Sequence, residues 1–151
     1  MNLNEEVEVL KGVPIFSKME VARLKLLAFT GERMNYSAGQ ELFHQGDQGD
    51  AMYVILSGVA DVVIDTPTGP ITVAQLSKNN FVGDMAILGD VPRTATVKAA
   101  EDLSTLKISK DMFYRLVAEF PQMAIEMMRE LAHRLEDTNQ KLLEASADKA
   151  A

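Results

Sequence analysis

Cysteine and tryptophan are absent from the 151 residues, histidine occurs twice, and aromatic residues make up only 6%. Without cysteine there are no disulfides and no thiolate metal sites, which favours a reducing compartment. His44 and His133 lie far apart in the chain, so they do not supply the histidine clusters of metal-dependent barrels. Neither sits near a serine-bearing elbow turn, and no nucleophile with its base can be assembled. No stretch approaches the roughly 18 apolar residues that span a bilayer, and an acidic start with Glu5, Glu6 and Glu8 is wrong for a signal peptide. Basic residues are also in the minority: 15 Lys and Arg against 22 Asp and Glu leave a net charge of -7, which argues against a surface that tracks nucleic-acid phosphates. The expectation is a cytoplasmic chain with no catalytic residues, no metal, no membrane span and no nucleic-acid partner.

What is present suits a soluble globular protein: 47% hydrophobic and 25% charged residues over a length that one domain, residues 1–151, accounts for. Leu3, Val7 and Leu10 fall at helical spacing, and Gly12 and Pro14 end that helix. The apolar run Val13-Pro14-Ile15-Phe16 reads as an extended linker docked on the core. Ser17 and Glu20 are spaced as a capping box, predicting a helix from Lys18 to about Gly31 that buries Val21, Leu24 and Ala28.

From Met34 the period falls to two. Met52, Val54 and Leu56 alternate with Tyr53 and Ile55, and Ala60, Val62 and Ile64 alternate with Asp61, Val63 and Asp65. Turn clusters at Gly46 to Asp50 and Thr66 to Pro70 separate strands near Glu41 to His44, Ala51 to Leu56, Val59 to Asp65 and Ile71 to Leu76. Two more strands fit Thr94 to Ala99 and Ser104 to Ile108. Short strands at this spacing predict an antiparallel sandwich or barrel. The helical period returns after Ser109, the predicted N-cap, with Phe113, Leu116, Val117 and Phe120 on one side. A final helix is predicted from Pro121 to about Glu144, and the small, polar tail from Ala145 to Ala151 is expected to fray. Along that helix Met128, Leu131, Leu135, Thr138, Leu142 and Ala145 form a heptad-like seam that serves its own domain or a second copy.

The most chemically mixed stretch is Phe81 to Val97. Gly83 and Gly89 allow close backbone approach, Ala86 and Ala95 do not obstruct it, and Arg93 stands nine positions after the carboxylate of Asp84. Such a loop can cradle an anion with Arg and backbone N–H groups while the carboxylate accepts from a hydroxyl, the two features of a phosphorylated sugar.

That stretch, with Pro92-Arg93-Thr94-Ala95-Thr96, and the run Phe43-His44-Gln45-Gly46-Asp47-Gln48-Gly49-Asp50-Ala51-Met52-Tyr53-Val54-Ile55-Leu56-Ser57-Gly58 resemble the cyclic nucleotide-binding domain. The likeness is to the superfamily of the cyclic AMP receptor and protein kinase regulatory subunits, as a stand-alone bacterial-type member without a helix-turn-helix, and it extends from Val13 to the final helix. It implies an α+β fold: an antiparallel β-barrel of jelly-roll type over residues 34–109, N-terminal helices over 1–33, and two C-terminal helices over 110–146, the last one long. Residues 81–97 align with the family's phosphate-binding cassette. Carried over by position, Arg93, Thr94, Ala95 and Ala86 surround the cyclic phosphate, and Gly83, Asp84 and Met85 the ribose. Asp84 stands in for the acidic residue that accepts the 2′-hydroxyl. Val62, Val73 and Ala74 are implied as pocket wall, though core packing explains them equally well. Thr138 and Asn139 match positions that reach the base, partly across a dimer, and as bare sequence read as a solvated helix face.

Departures from the pattern are informative. Asp84 is one methylene shorter than the usual glutamate, and Asn79, Asn80 and Val82 replace the small and turn-forming residues that precede the cassette. Thr94 is compatible with either base. The resemblance thus implies a ligand, cyclic AMP in preference to cyclic GMP, no cofactor, a non-catalytic regulatory role, a protein effector, and a homodimer through the final helix. The alternative is a ligand-free interaction or dimerisation module. The Gly46 to Asp50 segment reads as a tight connection only.

Overall fold

The structure, a computed structural model, describes residues 1–150 and the side chains of residues 1–146. Its strands are β1 (Glu32–Tyr36), β2 (Glu41–Phe43), β3 (Ala51–Ser57), β4 (Ala60–Thr66), β5 (Gly69–Leu76), β6 (Phe81–Val82), β7 (Thr96–Ala99) and β8 (Leu103–Ser109). They form two four-stranded antiparallel sheets, ordered β1-β8-β3-β6 and β2-β7-β4-β5. This is the α+β jelly-roll architecture that the resemblance implies. Two strands stand outside the predicted set: β1, where exposed Arg33 and Asn35 alternate with half-buried Met34 and Tyr36, and β6, which is two residues long.

The helices are α1 (Leu3–Lys11), α2 (Val21–Thr30), α3 (Asp84–Gly89), α4 (Lys110–Glu119) and α5 (Gln122–Ala150). They create a second core outside the barrel. Met52, Val54 and Leu56 of β3 pack there with Leu10, Phe16, Leu24, Phe113 and Met123. Ile55, on the opposite face of the same strand, joins Val97, Ala99 and Leu103 between the sheets. A strand buried on both faces thus ties the barrel to the helical layer, and alternate residues of β3 serve two hydrophobic clusters.

Several local expectations are corrected. Pro14–Phe16 is a 3-10 turn rather than an extended linker, although Val13, Ile15 and Phe16 are fully buried as anticipated. The Ser17 capping box does not form, because the hydroxyl donates to the Pro14 carbonyl at 2.9 Å. Helix α2 therefore starts at Val21, which is exposed, with Glu20 as an N-cap that makes no side-chain bond. Strand β7 begins at Thr96, two residues after the predicted start. Ser109 does cap α4, accepting from the Met112 N–H at 3.2 Å. Helix α5 continues past Glu144 to Ala150, and the side chains of the tail expected to fray lie outside the described residues beyond Ser146.

The helical layer is also pinned by charge. Glu6 of α1 is almost fully buried, its Oε1 accepting from Arg33 Nη2 of β1, while its Oε2 has no partner. Removing one partner of a buried ion pair strands the other in low dielectric, at a cost of about 3–5 kcal/mol when both are buried. Arg33 is partly exposed, so Arg33→Ala is expected to lower the urea-unfolding free energy by about 2–3 kcal/mol. Glu6→Gln should restore part of that loss in the double variant, because the stranded charge is then gone.

Candidate functional site

Sequence places Arg93 after a proline in the loop between α3 and β7, and the fold then draws its side chain inward until only 5% is exposed. Nη1 donates to the Gly83 carbonyl at 2.9 Å and Nη2 to the Ala51 carbonyl at 2.7 Å. The guanidinium carbon lies 4.0 Å from the centroid of the Phe43 ring, a cation–π contact strengthened by desolvation. Nε is buried without a hydrogen-bond partner. Burial draws the pKa of this guanidinium down from its ordinary value, against the opposing pull of Tyr53, Asp50 and Asp47.

Backbone holds the loop as firmly as the side chain. The Arg93 N–H donates to the Asp47 carbonyl at 2.8 Å, and the Gly46 N–H donates to the Arg93 carbonyl at 2.8 Å. Two glycines leave room for the guanidinium. A Cβ at Gly83, whose φ is +92°, would meet Nη1 at 2.7 Å; one at Gly49 would stand 2.8 Å from Cζ and 2.5 Å from the Ala86 Cβ. The Gly46 to Asp50 segment is therefore more than a tight connection: it forms the mould around Arg93, a role its turn composition did not reveal.

Asp84 opens α3 and is 2% exposed. Its Oδ2 accepts from Arg134 Nη1 of α5 at 3.0 Å, and the Arg134 guanidinium sits 4.9 Å from the Phe81 ring centroid and 3.5 Å from Glu130. Burial raises the Asp84 pKa above the ordinary carboxylate value, and the charge and hydrogen bond of Arg134 only partly offset it. Arg134 was missed in the sequence. The signals were available: an aspartate in an apolar stretch needs a partner, and Arg134 stands one helical turn before Thr138.

These groups border one cavity of about 310 Å³. Gly83, Asp84, Met85, Ala86, Arg93, Thr94 and Ala95 of the cassette all line it, with Val62 and Ala74 opposite and Arg134 closing one side. Three of the expected residues stand elsewhere. Val73 was expected to face the barrel interior and is 48% exposed, because a β-bulge pairs Val62 with Ala74 and Val63 with Thr72, leaving Val73 as the extra residue. Thr138 and Asn139 are exposed and do not line the cavity, and the Thr138 hydroxyl donates to the Arg134 carbonyl within its own helix.

The cavity pairs a buried cation carrying an unpartnered donor with a buried carboxylate, between apolar walls. This chemistry suits a ligand with one anionic group and one hydroxyl donor. Among the described residues no three His, Cys, Asp or Glu side chains gather to hold a metal ion, and no helix is long and apolar enough to cross a membrane.

The raised pKa of Asp84 has a definite sign. A carboxyl whose folded pKa exceeds its unfolded value adds stability that is present below the unfolded pKa and lost as pH rises through the folded one. The difference in unfolding free energy between the wild type and Asp84→Asn should therefore shift against the wild type as pH rises through the carboxylate range. Urea titrations at a series of pH values measure it; a pH-independent difference contradicts the raised pKa.

Comparison with known proteins agrees with the fold. The pattern that defines the cyclic nucleotide-binding domain matches residues 33–120. A lysophospholipase of Aspergillus oryzae is 33% identical over 110 residues, 72% of this chain and 7% of that protein. A cAMP-dependent protein kinase regulatory subunit of Aspergillus niger is 32% identical over 108 residues, 72% of this chain and 26% of that protein. The chain thus spans only a small part of the curated relatives it matches. Among solved structures, the catabolite activator protein of Thermus thermophilus superimposes with a TM-score of 0.81 at 28% identity, covering 88% of this chain and 63% of that one. From its family pattern, its relatives and its jelly-roll fold, the chain belongs to the cyclic nucleotide-binding domain family.

Proposed function

We propose that the chain is a non-catalytic cytoplasmic sensor domain that binds cyclic AMP in preference to cyclic GMP and regulates a protein partner through α5. The observation that carries this reading is the buried Arg93, whose Nε lacks a partner beside the cavity. A cyclic phosphate there restores the solvation that burial removed. Around it stand the cassette residues Gly83, Met85, Ala86, Thr94 and Ala95. The preference for adenine rests on the apolar walls at Val62, Ala74, Leu76 and Val97, and on a relative named as cAMP-dependent.

Arg134 supplies the switch. The ribose 2′-hydroxyl and Arg134 compete for Asp84, so a ligand releases an α5 residue from the cassette and changes the packing of the helix. The same pair favours a second reading, a ligand-free interaction module, because Asp84 is already satisfied by its own chain. Calorimetric titration decides. The wild type is expected to bind cyclic AMP more tightly than cyclic GMP, and Arg93→Ala to lose about 3 kcal/mol, roughly 100-fold in affinity. No binding of either nucleotide at millimolar concentration leaves the second reading standing.

Helix α5 is also proposed to join two copies, through a stripe rotated from the seam read in the sequence. Leu131 packs against the chain's own core, whereas Met128, Leu135 and Leu142 are 60%, 62% and 62% exposed. With Ile125 before them and Ala132 and Asn139 between them, these residues alternate spacings of three and four. Asn139 then occupies the kind of core position where a single asparagine sets register in a parallel pair. Sedimentation should show a dimer for the wild type and a monomer for Leu135→Glu.

A further inference from the structure

Helix α2 is apolar on two faces. Leu24, Leu27 and Ala28 are buried in the core, while Ala22, Leu26 and Phe29 project outward on the opposite side. Leu26 is 60% exposed and Phe29 is 79% exposed. A helix that is hydrophobic all round is ordinarily a covered one, and a leucine and a phenylalanine left bare one turn apart, the latter beside exposed Met1 and Leu3, mark a contact face.

Beside this face runs a groove of about 310 Å³ between α2 and α4, with Leu27, Met112 and Leu116 in its floor. Two arginines, Arg23 and Arg115, line it against one acid, Glu119, which lies 3.9 Å from Arg23. Arg115 has no carboxylate within ion-pair distance among the described residues. In a chain of net charge -7, the groove thus offers an unpaired cation beside bare apolar surface. Its far wall reaches the cassette, because the Tyr114 hydroxyl of α4 donates to the Ile87 carbonyl of α3 at 3.0 Å.

We propose that the α2–α4 groove docks an amphipathic helix of a protein partner, one that presents aliphatic anchors to Leu26, Phe29 and the groove floor and carboxylates to Arg115. Charge complementarity selects the acidic flank. The concave shape selects a helix, since a trough between two helices receives the ridge of a third, whereas a lipid surface asks for a continuous amphipathic face with a cationic border. The docking does not depend on nucleotide binding. The Tyr114 bond makes it sensitive to the cassette, because α4 cannot shift without disturbing α3.

The test uses the full chain without nucleotide and two synthetic, fluorophore-labelled amphipathic helices with the same leucine stripe, one flanked by glutamates and one by lysines. Fluorescence anisotropy is expected to show binding of the glutamate-flanked peptide. Leu26→Glu should weaken it about tenfold or more, as loss of an interface anchor does. Arg115→Glu should weaken it several-fold and abolish the preference over the lysine-flanked peptide. Both substituted side chains are exposed, and thermal unfolding confirms that the variants fold. Peptide-induced amide shifts should fall on α2 and α4. Equal affinity for the two peptides, no binding of either, or shifts confined to other elements overturns the proposal. So does a finding that Leu26→Glu instead abolishes self-association or binding to anionic lipid vesicles, which assigns the face to a second copy or to a membrane.

Discussion

A guanidinium removed from water is the constraint on which the rest of this structure depends. Arg93 gives up hydration for two carbonyls and an aromatic face, and one of its nitrogens, Nε, is left without a partner. Burying a charge without full compensation is among the most expensive things a fold can do, so every neighbouring feature is arranged to keep the arrangement tolerable. Gly49 and Gly83 leave the space, Phe43 covers one face, and the turn after β2 clamps the backbone on both sides of the residue. Nε is the atom for which the chain itself supplies no partner.

The second buried charge connects the pocket to the helical layer. Asp84 and Arg134 lie 50 residues apart in sequence and 3.0 Å apart in space, so the cassette and α5 share one electrostatic contact. Magnitudes separate this pair from the surface pairs: Lys11 with Glu8, or His133 with Asp137, are solvent-exposed and contribute about 0–1 kcal/mol at most, whereas a stranded buried carboxylate costs several times more. Among the described residues, only the pairs with an almost fully buried member, Asp84 with Arg134 and Glu6 with Arg33, carry enough energy to decide how elements sit against one another. One joins the cassette to α5, the other joins α1 to the barrel.

Packing transmits the same contacts outward. Strand β3 contributes Met52, Val54 and Leu56 to the helical core and Ile55 to the barrel core, and the Ala51 carbonyl at its start accepts from Arg93. Helix α4 is bonded to α3 through Tyr114. Rigid elements in close-packed contact shift together rather than deform singly, so β3 and Tyr114 tie the cassette to the helical layer and to α4.

The strands β3, β4 and β5, the cap at Ser109, and the gathering of Gly83, Asp84, Ala86, Arg93 and Ala95 in one loop were all legible in the residues, because alternation, capping and glycine placement act within a few positions. Strand β1 was not, since only two of its residues, Met34 and Tyr36, turn inward and both only to half-burial, too short an alternation to mark a strand. The bulge at Val73 was not, since it depends on how β5 pairs with β4. Nor was the rotation of α5 that packs half-buried Leu131 against the core and exposes Leu135, which is set by what the first turns of that helix meet in the core. Local chemistry therefore specified the make-up of the cassette and most of the strands that carry it. Which cation answers Asp84, which face of α5 stays bare and which glycine shapes the bed of Arg93 were settled only when distant segments met, because each depends on contacts that no short stretch of sequence contains.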